Sequence, residues 1–262
     1  MPELPEIETI KTYLEPRLIG KSIKDIQIIE SKQFIGDISD VIGTSVKRVE
    51  RIGKVLIVRL SNNKFLNFHL KMSGQLFLNP KNENFKYVRV IITFDQNTHL
   101  YFLDMRKFGW VKVTNENELI RLNDVLSPTY TLLYLKEKVR TSHQAIKKLI
   151  MDQSIIAGVG NIYANDALFE AKILPSRNSS TLTDNEIQRL YRSIKNIIKE
   201  GIMRKGSSAS QVYRLPDTSK GSYQDYFRVY RKEGHPCPVC NTPIQKAVIG
   251  GRSSFFCPHC QQ

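Results

Sequence analysis

Cysteine and tryptophan are scarce in this chain of 262 residues: there are four cysteines, all within the last 26 positions, and one tryptophan. No apolar run approaches the ~20 residues that span a bilayer, which excludes a transmembrane helix. The first residues are acidic and lack the basic and apolar regions of a signal peptide, so a cytoplasmic protein is expected. No nucleotide-binding motif, internal repeat or low-complexity tract is present. Acidic side chains are also in deficit. Against 39 Lys and Arg stand 25 Asp and Glu, giving +14 and a sequence pI near 9.6. Such an excess points to a large polyanion, nucleic acid or an anionic membrane, as partner. The hydrophobic content of 41% is that of a globular protein, with room for two domains and a small appendage.

The cysteines are grouped as Cys237-x2-Cys240 and Cys257-x2-Cys260, with 16 residues between the pairs. That spacing is a zinc ribbon's, four thiolates for one closed tetrahedral site. Disulfides would need an oxidising compartment that nothing else in the sequence supports. With four sulfurs present, His235 and His259 are expected to be bystanders. Gln245–Phe256 reads as two strands around Gly250-Gly251, which sets Arg252 at the hairpin tip, where it serves as a surface arginine or as a DNA contact.

The N-terminus carries the least ordinary chemistry. Removal of Met1 leaves Pro2 with a secondary amine that can condense with an aldehyde-like carbon to an iminium ion. Glu3 lies one peptide away, able to shuttle protons. The structural alternative is a helix start, with prolines in the first turn and acids complementing the dipole. Residues 3–18 read as that helix, with Leu4, Ile7, Ile10, Leu14 and Leu18 on one stripe and Glu3 and Glu6 sharing its edge.

From Ser22 to Val113 the pattern is of short strands: Ile23–Ile29, Val46–Val49, Val55–Leu60, Phe65–Leu70, Gln75–Leu78, Tyr87–Phe94, His99–Leu103 and Trp110–Val113. A sandwich or flattened barrel follows. Lys54, after Gly53, is either a hairpin-edge lysine or a phosphate anchor. Met72, in His69-Leu70-Lys71-Met72-Ser73-Gly74, is either core filler or a plug for the gap left by an extruded base. Arg106 and Phe108, on a loop between strands, form a solvated tip or a probe of base edges and steps. A polar connection over 116–131 marks a domain boundary. Beyond it, helices are expected at Ser142–Met151 and Ile162–Ala171, with Asn161 as N-cap after the glycine turn Gly158-Val159-Gly160 and able to hold DNA phosphate. Thr183 to Glu186 is a capping box opening a long helix. The Gly-, Ser- and Tyr-rich stretch 206–224 has little periodicity and is either a lid or disordered.

Taken in order, these motifs resemble the formamidopyrimidine-DNA glycosylases over essentially the whole chain. The carriers are MPELPEIE at the start, the GK strand at Lys54, HLKMSG at 69–74, RKFG at 106–109, GVGNIYA at 158–164 and the zinc ribbon. The resemblance implies an α+β multidomain fold. Residues 1–115 would be an N-terminal helix with a β-sandwich, 116–131 a linker, 132–230 a helix-two-turns-helix domain with a lesion-capping loop at 206–224, and 231–262 a zinc-ribbon finger.

It also implies repair of oxidised purines in duplex DNA by a glycosylase that is also a lyase. Pro2 would be the nucleophile, Glu3 would manage protons and Glu6 would support the site. Lys54, Asn161 and Arg252 would hold phosphates, and His69 lies in a matching DNA-facing motif. Met72, Arg106 and Phe108 would fill the vacated space, and Lys147 matches a further family lysine near the site. Cys237, Cys240, Cys257 and Cys260 would hold one structural Zn2+. Damaged double-stranded DNA is the expected partner of a monomer, with no membrane and no nucleotide cofactor, which would associate it with the nucleoid. Departures are Lys71, Asn241 and Arg231, where relatives commonly have glycine, and the linker Leu126-Ser127-Pro128-Thr129-Tyr130. The competing readings are an endonuclease VIII-like glycosylase for oxidised pyrimidines, opposed by Leu4, and a non-catalytic damage-binding protein, opposed by intact Pro2, Glu3 and Glu6.

Overall fold

The structure, a computed structural model, describes residues 1–80, 85–119 and 122–262. Two residues of the expected linker, Ile120 and Arg121, lie outside the described residues. By contacts the chain divides into two compact units, Met1–Arg121 with Arg204–Gln224, and Leu122–Met203 with Asp225–Gln262. The sequence reading had put 206–224 inside the helical domain. Among the described residues no helix is long and apolar enough to cross a membrane.

In the first unit, helix α1 (Leu4–Leu18) starts with Pro5 in its first turn, where the missing N–H costs nothing, and closes before Gly20 at φ +82°. Its stripe Leu4, Ile7, Ile10, Leu14 and Leu18 is buried at 1% exposure or less, as the three-and-four spacing predicts. Nine strands follow among the described residues: β1 (Ile23–Ile28), β2 (Phe34–Ile35), β3 (Val46–Ile52), β4 (Val55–Leu60), β5 (Phe65–His69), β6 (Gly74–Leu78), β7 (Val88–Phe94), β8 (Thr98–Asp104) and β9 (Trp110–Thr114). They form one sheet of order β1-β7-β8-β6 and another of order β2-β9-β5-β4-β3. Every pairing is antiparallel except β2 with β9. All eight expected strands are present. The two-residue β2 carried too short a pattern to be read.

One apolar cluster joins α1 to inward residues of both sheets, among them Ile26, Ile92 and Phe102 from one and Val58, Phe68 and Val111 from the other. Tyr213 and Leu215 of the late segment 204–224 belong to the same cluster.

The second unit holds α2 (Leu132–Arg140), α3 (Ile146–Met151), α4 (Asn161–Glu170), α5 (Asp184–Met203), and the hairpin β10 (Gln245–Ile249) with β11 (Arg252–Phe256). α5 opens with the expected capping box: Thr183 N–H donates to Glu186 Oε2 at 2.7 Å and Glu186 N–H to Thr183 Oγ1 at 3.3 Å. α2 was not read from sequence. Its N-cap is Thr131, whose hydroxyl accepts from Tyr134 N–H, and it buries only Leu135 and Val139.

The helix expected over 142–151 is confined to 146–151, because the backbone before it is engaged elsewhere. Ala145 pairs with Asn178 in an extended bridge, and Ser179 N–H donates to the Gln144 carbonyl at 2.9 Å. Asn161 is not the N-cap of α4. Gly160 takes that position in an extended conformation, and the Asn161 carbonyl accepts from Asn165 Nδ2 at 2.6 Å.

The three positions at which the resemblance implies glycine share a backbone conformation. Lys71, Arg231 and Asn241 have φ of +48°, +58° and +61°, the left-handed region where a side chain is strained by roughly 1–2 kcal/mol. Glycine gives back part of that gain as unfolded-chain entropy. Lys71→Gly and Arg231→Gly are therefore expected to stabilise by up to about 1 kcal/mol, and Asn241→Gly by less, read from urea midpoints.

Candidate active site and DNA interface

Pro2 is buried at the head of α1, and Met1 before it is 39% exposed. Glu3 caps the helix and Glu6 closes a reciprocal box: Glu3 N–H donates to Glu6 Oε2 at 2.7 Å, while the Glu3 carboxylate accepts from the Glu6 amide. The other Glu6 oxygen accepts from Ser207 N–H at 2.7 Å. The carboxylate, 1% exposed, is thus held by one amide from its own helix and one from a segment 201 residues later. Gly206 makes this possible. It sits at φ +75°, and a Cβ there would lie 2.7 Å from Glu6 Oε1. Gly221 is equally constrained, since a Cβ would come within 2.3 Å of the Gly206 carbonyl oxygen. The segment 206–222 is therefore ordered at its base, where Ser207 pairs with Ser222. Burial and the nearby Glu6 carboxylate push the Tyr213 hydroxyl well above its ordinary pKa, so it stays a neutral donor to the Lys205 carbonyl at 3.1 Å.

Glu6→Gln places an NH2 against one of two buried amide donors. It is expected to cost about 2–3 kcal/mol of stability and to lower catalysis about a hundredfold, as read from thermal melts beside single-turnover rates.

Lys54 follows Gly53 at the β3–β4 turn, where φ is +56°, and is 7% exposed. The Arg51 side chain braces that turn, donating to Glu8 Oε2 at 2.7 Å and to the Gly53 carbonyl at 3.0 Å. His69 ends β5. Its Nδ1 accepts from Lys71 N–H at 3.0 Å, which leaves the proton on Nε2 as a donor. Burial first, then the charges of Lys71 and Lys54, lower its pKa from 6.5 to about 4. The unfolded chain takes up this proton near 6.5 and the folded one only near 4, so His69 removes stability as pH falls between those values and nothing further below. The loss is about 3 kcal/mol by pH 4. His69→Gln is expected to flatten the stability–pH profile over that window, measured by urea unfolding.

Met72 is 39% exposed on the turn before β6. Gly74 must close that turn, because a Cβ there would lie 2.5 Å from the Leu70 carbonyl oxygen. Phe108 is 54% exposed, and the Arg106 guanidinium stacks over its ring at 4.9 Å. Lys107, at φ +58°, pairs with Glu30 and shapes the tip between them. A cleft of about 450 Å3 lies beside the turn, lined by Ser73, Gln75, Phe77, Met105, Gln211 and Val212 among others. A larger hollow of about 710 Å3 borders the far end of α1 at Arg17 and Gly20 and contains none of these residues.

In the second unit the glycine turn before α4 is held by Gln153. Its Nε2 donates to the Val159 carbonyl at 2.7 Å and its Oε1 accepts from Gly158 N–H at 3.0 Å. Asn161 is the first residue of the helix and half-buried. Lys147, which the resemblance places near the site, points toward the ribbon hairpin. It is 1% exposed, with Nζ on the Ser253 carbonyl at 2.8 Å and the Ser254 hydroxyl at 2.7 Å. Asn165 completes that brace by accepting from Phe255 N–H at 2.7 Å. Arg252, exposed, begins β11 immediately before the gripped residues.

The four cysteine sulfurs lie within 4.8 Å of one another, with Cys237 to Cys260 at 3.9 Å and Cys240 to Cys257 at 3.4 Å. Zinc–sulfur bonds of about 2.3 Å in a tetrahedron separate sulfurs by about 3.8 Å, so the set fits one structural zinc. No disulfide is formed, and neither His235 nor His259 joins the cluster.

Residues that sequence reasoning missed are Gln33, Asp104, Asn165, Asp166 and Ser207, all buried, and the half-buried Gln153. Asp166 accepts from the amides of Arg228, Val229 and Tyr230 at 3.1–3.3 Å and so fixes the entry to the ribbon. An isolated polar residue in an apolar helix such as α4 was the one available signal for Asn165 and Asp166.

A helix-headed β-sandwich, a glycine-turn helical domain and a zinc ribbon define a class of DNA-repair glycosylase. Family models match at 1–111 (formamidopyrimidine-DNA glycosylase N-terminal domain), 123–212 (its H2TH domain) and 234–262 (zinc finger found in FPG and IleRS). The formamidopyrimidine-DNA glycosylase of Listeria innocua is 38% identical over 100% of both chains, and that of Pelotomaculum thermopropionicum is 36% identical over 100% of this chain and 99% of its own. The crystal structure of the MutM (Fpg) protein from Thermus thermophilus superposes with a TM-score of 0.92 at 34% identity, covering 99% of this chain and 98% of that one. A Lactococcus lactis Fpg variant in complex with a Fapy-dG containing DNA gives 0.91 at 32% identity over 100% of both. The chain belongs to the formamidopyrimidine-DNA glycosylase family, enzymes of DNA repair, and carries its structural zinc finger.

Proposed function

We propose that this enzyme excises oxidised purines, 8-oxoguanine and formamidopyrimidines, from duplex DNA and then cuts the strand at the abasic site. The observation that carries this reading is the head of α1, where Pro2 and Glu3 sit on a Glu6 carboxylate locked by two backbone amides. Once Met1 is removed, the Pro2 lone pair attacks C1′, and the base leaves with the electron pair of the glycosidic bond and a proton. Ring opening gives an iminium ion between Pro2 and C1′. Loss of a C2′ proton expels the 3′ phosphate, and a second elimination expels the 5′ phosphate. Glu3 carries the protons.

Lys54, neutral His69 through Nε2–H, Asn161 and Arg252 hold phosphates. Met72, Arg106 and Phe108 occupy the space of the extruded nucleotide, with Arg106 toward the orphaned base. The 206–224 segment covers the extruded purine. The solved relatives bound to Fapy-dG DNA and to abasic-site DNA support this substrate class.

The test is borohydride trapping on duplexes carrying 8-oxoguanine opposite dC, dihydrouracil, or an abasic site. A protein–DNA adduct with 8-oxoguanine is expected. An adduct with dihydrouracil alone transfers the protein to the pyrimidine-excising reading, and none with the abasic duplex removes the lyase.

A further inference from the structure

Asp104, at the end of β8, is fully buried, and its carboxylate is where two turns meet. Oδ1 accepts from the Ser73 hydroxyl at 2.5 Å and from Arg106 N–H at 3.2 Å. Oδ2 accepts from Gly109 N–H at 2.7 Å and from Gln33 Nε2 at 3.0 Å. The Ser73 hydroxyl in turn accepts from Arg106 N–H at 3.0 Å, and Gln33 Nε2 donates also to the Gly109 carbonyl at 2.9 Å. No space is left over: a Cβ on Gly109 would lie 2.9 Å from the His69 carbonyl oxygen and 3.1 Å from Asp104 Oδ2.

Apolar residues would join two turns more cheaply than a buried carboxylate, whose desolvation must be offset by its donors. Four donors on one carboxylate do something adhesion does not. They fix the angle and height of both turns, because charge-assisted bonds are short and directional. One turn presents Met72, and the other presents Arg106 and Phe108. Ser73, the link between them, also lines the 450 Å3 cleft.

We propose that Asp104 is a positioning residue that, through the Ser73 hydroxyl, couples the Arg106–Phe108 tip to the cleft wall, so that the base facing the lesion governs whether the lesion is cut. A partner base that displaces Arg106 moves its amide off the shared hydroxyl, and the cleft wall moves with it. This rests on the reading of Met72, Arg106 and Phe108 given above.

The experiment measures the protein's affinity for a duplex with a tetrahydrofuran abasic analogue facing dC or dA, which needs no chemistry. It is paired with single-turnover excision of 8-oxoguanine opposite the same two bases. Wild type is expected to prefer dC by about tenfold or more, the scale of one good base-edge contact. D104N is expected to bring both ratios to within about twofold of unity, while trapping on a single-stranded abasic oligonucleotide changes less than about twofold. The double variant D104N/R106A is expected to discriminate no less than either single variant. S73A, which removes only the shared hydroxyl, is expected to lower the ratios severalfold and serves as the deciding variant where D104N fails to fold.

Ratios unchanged in S73A, or single-strand trapping lost together with both duplexes in folded D104N, overturn the proposal. A wild type that excises 8-oxoguanine opposite neither base defeats the proposed activity instead, and the analogue-binding ratios then decide the positioning role alone.

Discussion

Protein that retains Met1 is expected to give no borohydride-trapped adduct, with single-turnover excision at least about a thousandfold below that of protein beginning at Pro2. While Met1 is attached, the Pro2 nitrogen is an amide whose lone pair is delocalised into the Met1 carbonyl, so it cannot attack carbon. Pro2 itself is buried at the head of α1, and removing Met1 frees its amine. Mass spectrometry of the N-terminus sorts the two forms, and trapping is then read on each. Affinity for an abasic-analogue duplex is expected to stay within severalfold, because Lys54, His69, Arg106 and Arg252 are untouched. Full trapping by the Met1 form would remove Pro2 from the mechanism.

Loss of the ribbon's zinc is expected to have the second largest effect. Structural zinc contributes on the order of 10 kcal/mol or more to small folds of this kind. Cys237 and Cys257 pack with Phe169, Val229, Ile244 and Phe255, so the site is part of an apolar cluster of the second unit. Without the metal, β10 and β11 lose that anchor, and Lys147 and Asn165 lose the strand they grip. Cys240→Ser, or removal of zinc by a chelator, is expected to reduce duplex affinity and strand cleavage about a hundredfold or more. The single tryptophan separates this from general unfolding. Trp110 lies in β9 of the first unit, so its fluorescence melt is expected to remain cooperative in the zinc-free protein. A fluorescence transition lost with the zinc would show instead that the two units fold as one.

Much of this architecture was legible in the sequence. The stripe of α1, the β-branched and aromatic runs of β3 to β9 with turn residues between several of them, and the cysteine spacing are local signals repeated several times over. Single bonds were not legible. The 142–145 backbone reads as helix by composition, yet it spends its hydrogen bonds on 177–179. Nothing in the sequence around Lys147 signalled its buried bonds to a strand carbonyl and a serine. At the candidate site Pro2, Glu3, Glu6 and Lys54 stood out because they are unusual residues in place. Ser207 and Asp104 did not, since a serine in a polar loop and an aspartate at a strand end look ordinary until the partners far away in sequence are seen.

The bond from Ser207 to Glu6 sets a timetable for synthesis. Emerging from the ribosome, residues 1–121 carry the described strands of the sandwich and α1, but neither the amide that locks the Glu6 carboxylate nor the Tyr213 and Leu215 side chains that complete the core. Those arrive only after the chain has passed through four more helices. At translation rates of about 5–20 residues per second the nascent sandwich waits several seconds, assembled but unlatched. The Glu6 carboxylate thereby stays without its second amide until most of the polypeptide has been made.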